Sequence, residues 1–240
     1  MKRGFTLIEL MVVISIISLL SSIVFSSVIT SRDRAVIAAG LQFENQVHKK
    51  LYNCLVAQYD FETTIDSELG IDSSGYGNHG TNYGAASVAG INGGRAAEFA
   101  GTDFIRILNN DQMSSMDNLT ITSWVKWDGG GSDNMIINKE GSAYEYRVRN
   151  GFVNLATNSW TWRGGVSSPV SANEWSHVLI SHEYPGRQKI FIDGVQTFQS
   201  NSNGAINQSL DNITIGARSD GGSSHFGGVI DNVRIYNCAL

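Results

Sequence analysis

The chain has 240 residues, with 26 glycines, only 2 prolines, 16% charged residues and a net charge of −5. That length supports one core of ordinary size, and a glycine-rich, charge-poor composition suits a turn-rich β protein better than a helical bundle. Through Val56 there are 6 basic and 3 acidic residues, and beyond it 11 basic and 19 acidic; the larger part is therefore acidic, which excludes nucleic acid as its partner.

The chain opens on a basic head, Met1-Lys2-Arg3-Gly4, followed by Phe5-Thr6-Leu7-Ile8-Glu9-Leu10 and an apolar run to Ile29. About 25 such residues suffice to cross a bilayer as a helix. Glu9 stands alone in that run, and a carboxylate there costs about 2.5–3.5 kcal/mol on insertion scales, which marks it as functional. Lys2 and Arg3 keep this end cytoplasmic, so the rest of the chain is exported. A secretory signal peptide or an uncleaved anchor shares the basic head and apolar run. The run is too long for the first, and neither accounts for Glu9.

The pattern predicts one helix from Phe5 to about Asn53, roughly 75 Å long. It is apolar all round to Ile29 and amphipathic beyond. Val36, Phe43, Val47, Leu51 and Leu55 recur at helical spacing, with Gly40 on the same face. This second half is expected to pack on whatever follows, with Gly40 admitting a close neighbour. His48, on the same amphipathic helix, reads as solvated.

Residues 2–10 resemble the prepilin signal of type IV pilins and type II secretion pseudopilins. The resemblance implies cleavage between Gly4 and Phe5 by a prepilin peptidase, methylation of the new Phe5 terminus, and an assembly role for Glu9. It implies an inner-membrane precursor handled by pilus or secretion machinery. The product is then an extracellular pilus or a periplasmic pseudopilus, built by self-assembly into a helical filament. The expected organisation is a leader (1–4), a pilin-type helix (5–54, of which 5–29 spans the membrane or forms the filament core and 30–54 is amphipathic), and a domain over 55–240.

From Leu55 the period changes to two. Strands are expected at 55–62, 97–99, 104–107, 119–127, 135–138, 144–148, 152–156, 175–182, 189–193, 195–198, 213–216 and 229–236, with a Gly/Ser/Asn loop over 72–80. Asp193-Gly194 between two β runs signals a two-residue hairpin, and Tyr184-Pro185-Gly186 another turn. A dozen short strands with no helix between them indicate a sandwich or jelly roll. The fold class is therefore α+β: a long N-terminal helix followed by an antiparallel β-sandwich. Several segments in order resemble the laminin-G-like, concanavalin A-like jelly-roll family. They are residues 72–80, Gly94-Arg95-Ala96-Ala97-Glu98-Phe99-Ala100-Gly101, 119–126, Glu174-Trp175-Ser176-His177-Val178, Ile192-Asp193-Gly194 and Ile230-Asp231-Asn232-Val233-Arg234-Ile235-Tyr236-Asn237. The family includes carbohydrate-binding and adhesion modules, often with calcium.

Cys54 and Cys238 flank this domain and, in an oxidising compartment, are expected to form a disulfide. Calcium takes six to eight oxygens, and the resemblance implies a site from Glu62, Asp72, Asn78 and Asp231 joining the two ends of the domain; Asx turns and surface acids are the alternative. Trp160 and Trp162, with Arg163, are the candidate surface for a glycan, since two residues apart on a strand share a face. The alternative is that this face is core. Trp124 and Trp175 read as framework core. Catalysis is not expected. The paired acids of the family's glucanases, Glu-x-Asp-x-x-Glu, are missing, no serine sits in a nucleophile elbow, and no His spacing suits zinc. The functional reading is a filament subunit displaying a glycan-binding domain. The alternatives are a minor pilin or adhesin whose main role is surface binding, and a secretion pseudopilin.

Overall fold

The computed structural model describes residues 6–114, 116–140, 143–157, 161–201, 204–218 and 221–240, without the side chains of 23–30, 32 and 161–167. Gly4, Phe5 and Trp160 lie outside the described residues, as do the side chains of Trp162 and Arg163.

Helix α1 runs from Leu7 to Leu51, about 68 Å at 1.5 Å per residue. Thr6 caps it: its Oγ1 accepts from Glu9 N while the Glu9 carboxylate accepts from Thr6 N at 2.8 Å. This capping box satisfies backbone donors that the first turn otherwise leaves bare. His48, Lys49 and Lys50 occupy the last turn, where positive charge suits the helix dipole. Leu7, Ile8, Leu10, Met11 and their neighbours to Leu20 are exposed. Among the described residues no helix is long and apolar enough to cross a membrane; the described side chains of the apolar run end at Ser22.

Beyond α1 the chain forms two antiparallel sheets, face to face. The first has the order β13 (Val195–Asn201), β12 (Arg187–Ile192), β11 (Ser176–His182), β6 (Leu119–Trp127), β15 (Gly228–Tyr236), β4 (Arg95–Phe99) and β3 (Ala86–Ala89), with β1 (Leu55–Tyr59) also paired to β15. The second has the order β10 (Thr161–Pro169), β9 (Phe152–Thr157), β8 (Tyr144–Arg149), β7 (Asn134–Lys139), β14 (Ile213–Ile215), β5 (Phe104–Ile107) and β2 (Gly80–Tyr83). A single-turn helix, α2 (Asp111–Ser114), follows β5. Alternate residues of each strand meet between the sheets, Ile121, Val125, Ile180 and Ile230 on one side and Ile105, Ile137, Tyr146 and Leu155 on the other, all fully buried. This is the sandwich that the period-two pattern predicts.

The expected strands are present with ends shifted by three residues or fewer. Three more appear. β2 and β3 are four-residue, half-exposed edge strands, and β10 carries Gly164, Gly165 and two serines; none has the apolar alternation that marks a buried strand. Asp193 and Gly194 have φ of 51° and 81°, as a two-residue hairpin of the predicted type needs. The pairing of β1 with β15 puts the first and last strands of the domain side by side.

Candidate functional site

The first site is the joint between α1 and the outer face of the first sheet. On that face Trp124 of β6 is registered between Asp231 of β15 and His177 of β11. Gly40 of α1 sits on the Trp124 indole; a Cβ there would come within 2.9 Å of Trp124 Cζ2 and closer still to Cη2. One turn on, Glu44 is 5% exposed. Its Oε2 accepts the Trp124 Nε1–H at 2.9 Å, and its Oε1 accepts from Arg234 Nη1. Val47, Leu51 and Leu55 close over Leu179 and Tyr236, with Phe43 against Phe191. His48 is half-buried rather than solvated: its Nδ1 lies 3.1 Å from the Tyr236 hydroxyl, and burial lowers its pKa. Sequence reading placed the apolar stripe and Gly40 correctly and missed Glu44. An acidic residue between Phe43 and Val47 looks solvated until its partners on β6 and β15 are known.

His177 is the least compensated group of the joint. It is fully buried, between Phe43 and Trp124, and neither ring nitrogen has a hydrogen-bond partner among the described residues. Burial, and then the charge of Arg234, pull its pKa down to about 3, so it is neutral. Trp124 is core, as expected, but against the helix and not between the sheets. The joint ends in the expected disulfide, Cys54–Cys238, with Cα atoms 5.8 Å apart. The C-terminal residues run over the same sheet, where Thr120 Oγ1 donates to Cys238 O and Lys189 Nζ to Leu240 O.

Where α1 leaves the sheet, a cleft of about 680 Å³ opens, lined by Asp33, Val36 and Ile37 of the helix and by Glu174, Trp175 and Asp193 of the loops. Trp175 is half-buried here, at a cleft wall, instead of in the core. Asp193 Oδ1 accepts from His177 N at 2.8 Å, and burial raises its pKa.

The outer face of the second sheet carries a polar row. Reading across strands, Arg106, Thr214, Asn138, Glu145, Ala156 and Trp162 are registered opposite one another in turn. Asn138 and Glu145 are about 1% exposed, and Glu145 Oε1 meets Arg218 Nε at 2.8 Å. Glu145 Oε2 has no hydrogen-bond partner among the described residues, and burial pushes the carboxyl up to about 7 against the pull of Arg218 and Arg147. Arg163 is registered opposite Leu155, the core row. The side chains of Trp162 and Arg163 lie outside the described residues, so the register of their backbone is what places the candidate glycan surface on β10.

The four residues expected to hold calcium fall into two groups. Asp72 Oδ1 accepts from Gln58 N and Ser74 N, and its Oδ2 from Ser74 Oγ and Asn78 N. Asn78 Nδ2 donates to Val56 O, and its Oδ1 accepts from Asn110. Glu62 Oε2 accepts from Arg95 N, and Asp231 Oδ2 from Ile91 N, so these two lock the turn between β3 and β4. Asp231 is fully buried, which pushes its carboxyl up to about 7, with Glu62 and Glu44 adding to the rise. Among the described residues no three His, Cys, Asp or Glu side chains are grouped as a metal shell requires. Both Asp72 oxygens and one oxygen each of Glu62 and Asp231 accept backbone N–H groups, which makes these residues turn locks.

Two family models match the chain: the prokaryotic N-terminal methylation motif over residues 1–25 and the concanavalin A-like lectin/glucanases superfamily over residues 99–240. No curated protein matches it. Among solved structures, domain 4 of AbnA, a GH43 extracellular arabinanase from Geobacillus stearothermophilus in complex with arabinotriose, is 22% identical with a TM-score of 0.62, over 78% of this chain and 93% of that one. The binding domain of Paraclostridial Mosquitocidal Protein 1 is 15% identical with a TM-score of 0.64, over 79% and 50%. A botulinum neurotoxin type C structure, described by the dependence of its cell entry on two ganglioside molecules, is 16% identical with a TM-score of 0.60, over 80% and 50%. The chain thus spans about half of these toxin chains, and at such identities the likeness is one of fold. With the family model covering more than half of its length, this chain belongs to the concanavalin A-like lectin/glucanases superfamily, its sandwich carried behind a prokaryotic N-terminal methylation motif.

Proposed function

We propose that this protein is a type IV pilin-like structural subunit. It is anchored in the inner membrane as a precursor, cut after Gly4, and assembled into a surface filament that displays the sandwich. The observation that carries the reading is the division of labour along α1. Its second half is built into the sandwich through Gly40, Glu44 and the Cys54–Cys238 bridge, while the apolar side chains from Leu7 to Leu20 stand exposed. An exposed apolar stretch of this size needs a lipid or protein surface to cover it, and a rigid joint passes any load on the head to the helix. Glu9 faces the cost of burial in a core of packed helices, which a partner charge offsets; the free amine of Phe5 on a neighbouring subunit supplies it. Glu9→Ala is expected to leave the protein in the membrane fraction at normal level and to abolish sheared filaments. Normal filament yield from that variant would sink the reading.

The cleft favours a second, compatible reading as a glycan-binding display module. Half-buried Trp175 beside the carboxylates of Glu174, Asp33 and Asp193 offers an indole face with acceptors around it, the mix that sugar hydroxyls and C–H faces call for. On a glycan array, Trp175→Ala in the full chain is expected to lower binding at least tenfold. Unchanged binding would remove the cleft, and its loss with Trp162→Ala instead would move the site to β10.

A further inference from the structure

Lys139 ends β7 in a row of the sandwich interior, registered between Ile213 of β14 and Tyr144 of β8, and is 1% exposed. Lysine is almost never buried this far unless an opposite charge accompanies it. Here the Nζ donates to two neutral oxygens, Asn109 Oδ1 at 2.7 Å and the backbone carbonyl of Asp211 at 2.7 Å. Asn109 follows β5 in a half-buried position, with its backbone N–H held by Asn212 Oδ1 at 3.2 Å. A buried amine is therefore fixed against a carboxamide whose own backbone is tied down.

We propose that Lys139 and Asn109 are a modification site at which the two side chains condense into an intramolecular amide cross-link. The Nζ lone pair attacks Asn109 Cγ, the Nζ–Cγ bond forms, and the Cγ–Nδ2 bond breaks. Nδ2 leaves as ammonia, its third hydrogen being the one Nζ gives up. The Asp211 carboxylate, whose charge acts on Lys139, stabilises the positive charge that builds on Nζ as the new bond forms. Nothing is oxidised or reduced, and no co-reactant is needed. The step requires an unprotonated amine, and burial brings the Lys139 pKa down to about 8; a desolvated lysine is an activated nucleophile. It also requires proximity. Asn109 Cγ lies one bond beyond an oxygen 2.7 Å from Nζ, so a short shift of the amine from that oxygen to the face of the carbonyl brings the pair to the roughly 3–3.5 Å of a near-attack arrangement. The product stitches the segment after β5 to the end of β7 across β14, in the sheet that the disulfide does not reach.

The test is a tryptic digest of the purified full chain read by mass spectrometry. Trypsin does not cut after an acylated lysine. The expected product is a branched species joining residues 107–126 to residues 127–147, lighter than the two together by one ammonia, about 17 Da. It should vanish in Lys139→Met. Recovery of residues 107–126 unlinked, together with free 140–147 released by cleavage after Lys139, overturns the proposal, and the wild-type digest alone decides it whether or not the variant folds.

Discussion

Gly40 and His177 bracket the Trp124 indole, and each does its work by lacking something. Gly40 lacks the carbon that would overlap the ring. Glycine in a helix interior costs about 1 kcal/mol relative to alanine, so Gly40→Ala favours the isolated helix. In the assembled protein the new methyl must push the indole off Glu44, and overpacking of that kind costs about 1–3 kcal/mol. The second effect wins, and a lower melting temperature for Gly40→Ala is expected by calorimetry. His177 lacks partners. Its folded pKa of about 3 lies below the value near 6.5 of the unfolded chain. Above pH 6.5 neither state binds the proton and the joint has its full stability. As pH falls from 6.5 toward 3 the unfolded state takes up a proton that the folded state refuses, and stability drops by up to about 1.4 kcal/mol per unit. Buried Asp231 and Glu145 are raised to about 7 and act in the opposite sense, losing their contribution as pH rises. The comparison must therefore be made against His177→Phe, which is expected to be less acid-sensitive than the wild type between pH 6.5 and 4 in urea titrations. Equal slopes would mean that His177 is protonated in the folded protein.

At the scale of elements, α1 and the first sheet are held by contacts of unequal legibility. The apolar stripe of α1 recurs at helical spacing, so its packing face could be read directly from Val36, Phe43, Val47 and Leu51. The disulfide was legible because two cysteines alone flank one exported domain. What each contact touches was not legible. Trp124 meets Glu44 and His177 because β11 and β15 both flank β6, and a strand order of β11-β6-β15 cannot be deduced from periodicity. The same is true of the row from Arg106 to Trp162. It crosses strands that are far apart in the chain. The acids expected to hold calcium bind backbone groups of β1 and of the turn between β3 and β4. Their use as acceptors for backbone N–H groups depends on loop geometry that composition does not encode. Glu44 and Arg234 form a pair whose two members are each partly desolvated; such a pair specifies position more than it adds stability, which is the property a fixed joint needs.

At the scale of the whole molecule, the sandwich and the helix are not separable at the point where the sequence changes period. A chain cut at Leu55 loses Gly40, Glu44, Val47, Leu51 and Cys54 together. It leaves Trp124, His177, Leu179 and Phe191 facing water, and leaves Arg234 without the Glu44 carboxylate. Removing one member of a buried charged pair costs about 3–5 kcal/mol, and the bared apolar face adds an aggregation surface. A stability of 5–15 kcal/mol, usual for a domain, does not comfortably absorb both. A chain that begins at Ser31 keeps every contact of the joint and discards only the apolar run of α1. It is therefore expected to be soluble, to keep the Cys54–Cys238 bridge, and to melt within a few degrees of the full-length protein in detergent. The chain that begins at Leu55 is expected to melt at least ten degrees lower or to aggregate. Equal melting temperatures for the two would show that the sandwich folds independently of the helix, and would remove the joint as the element that carries load from head to stalk.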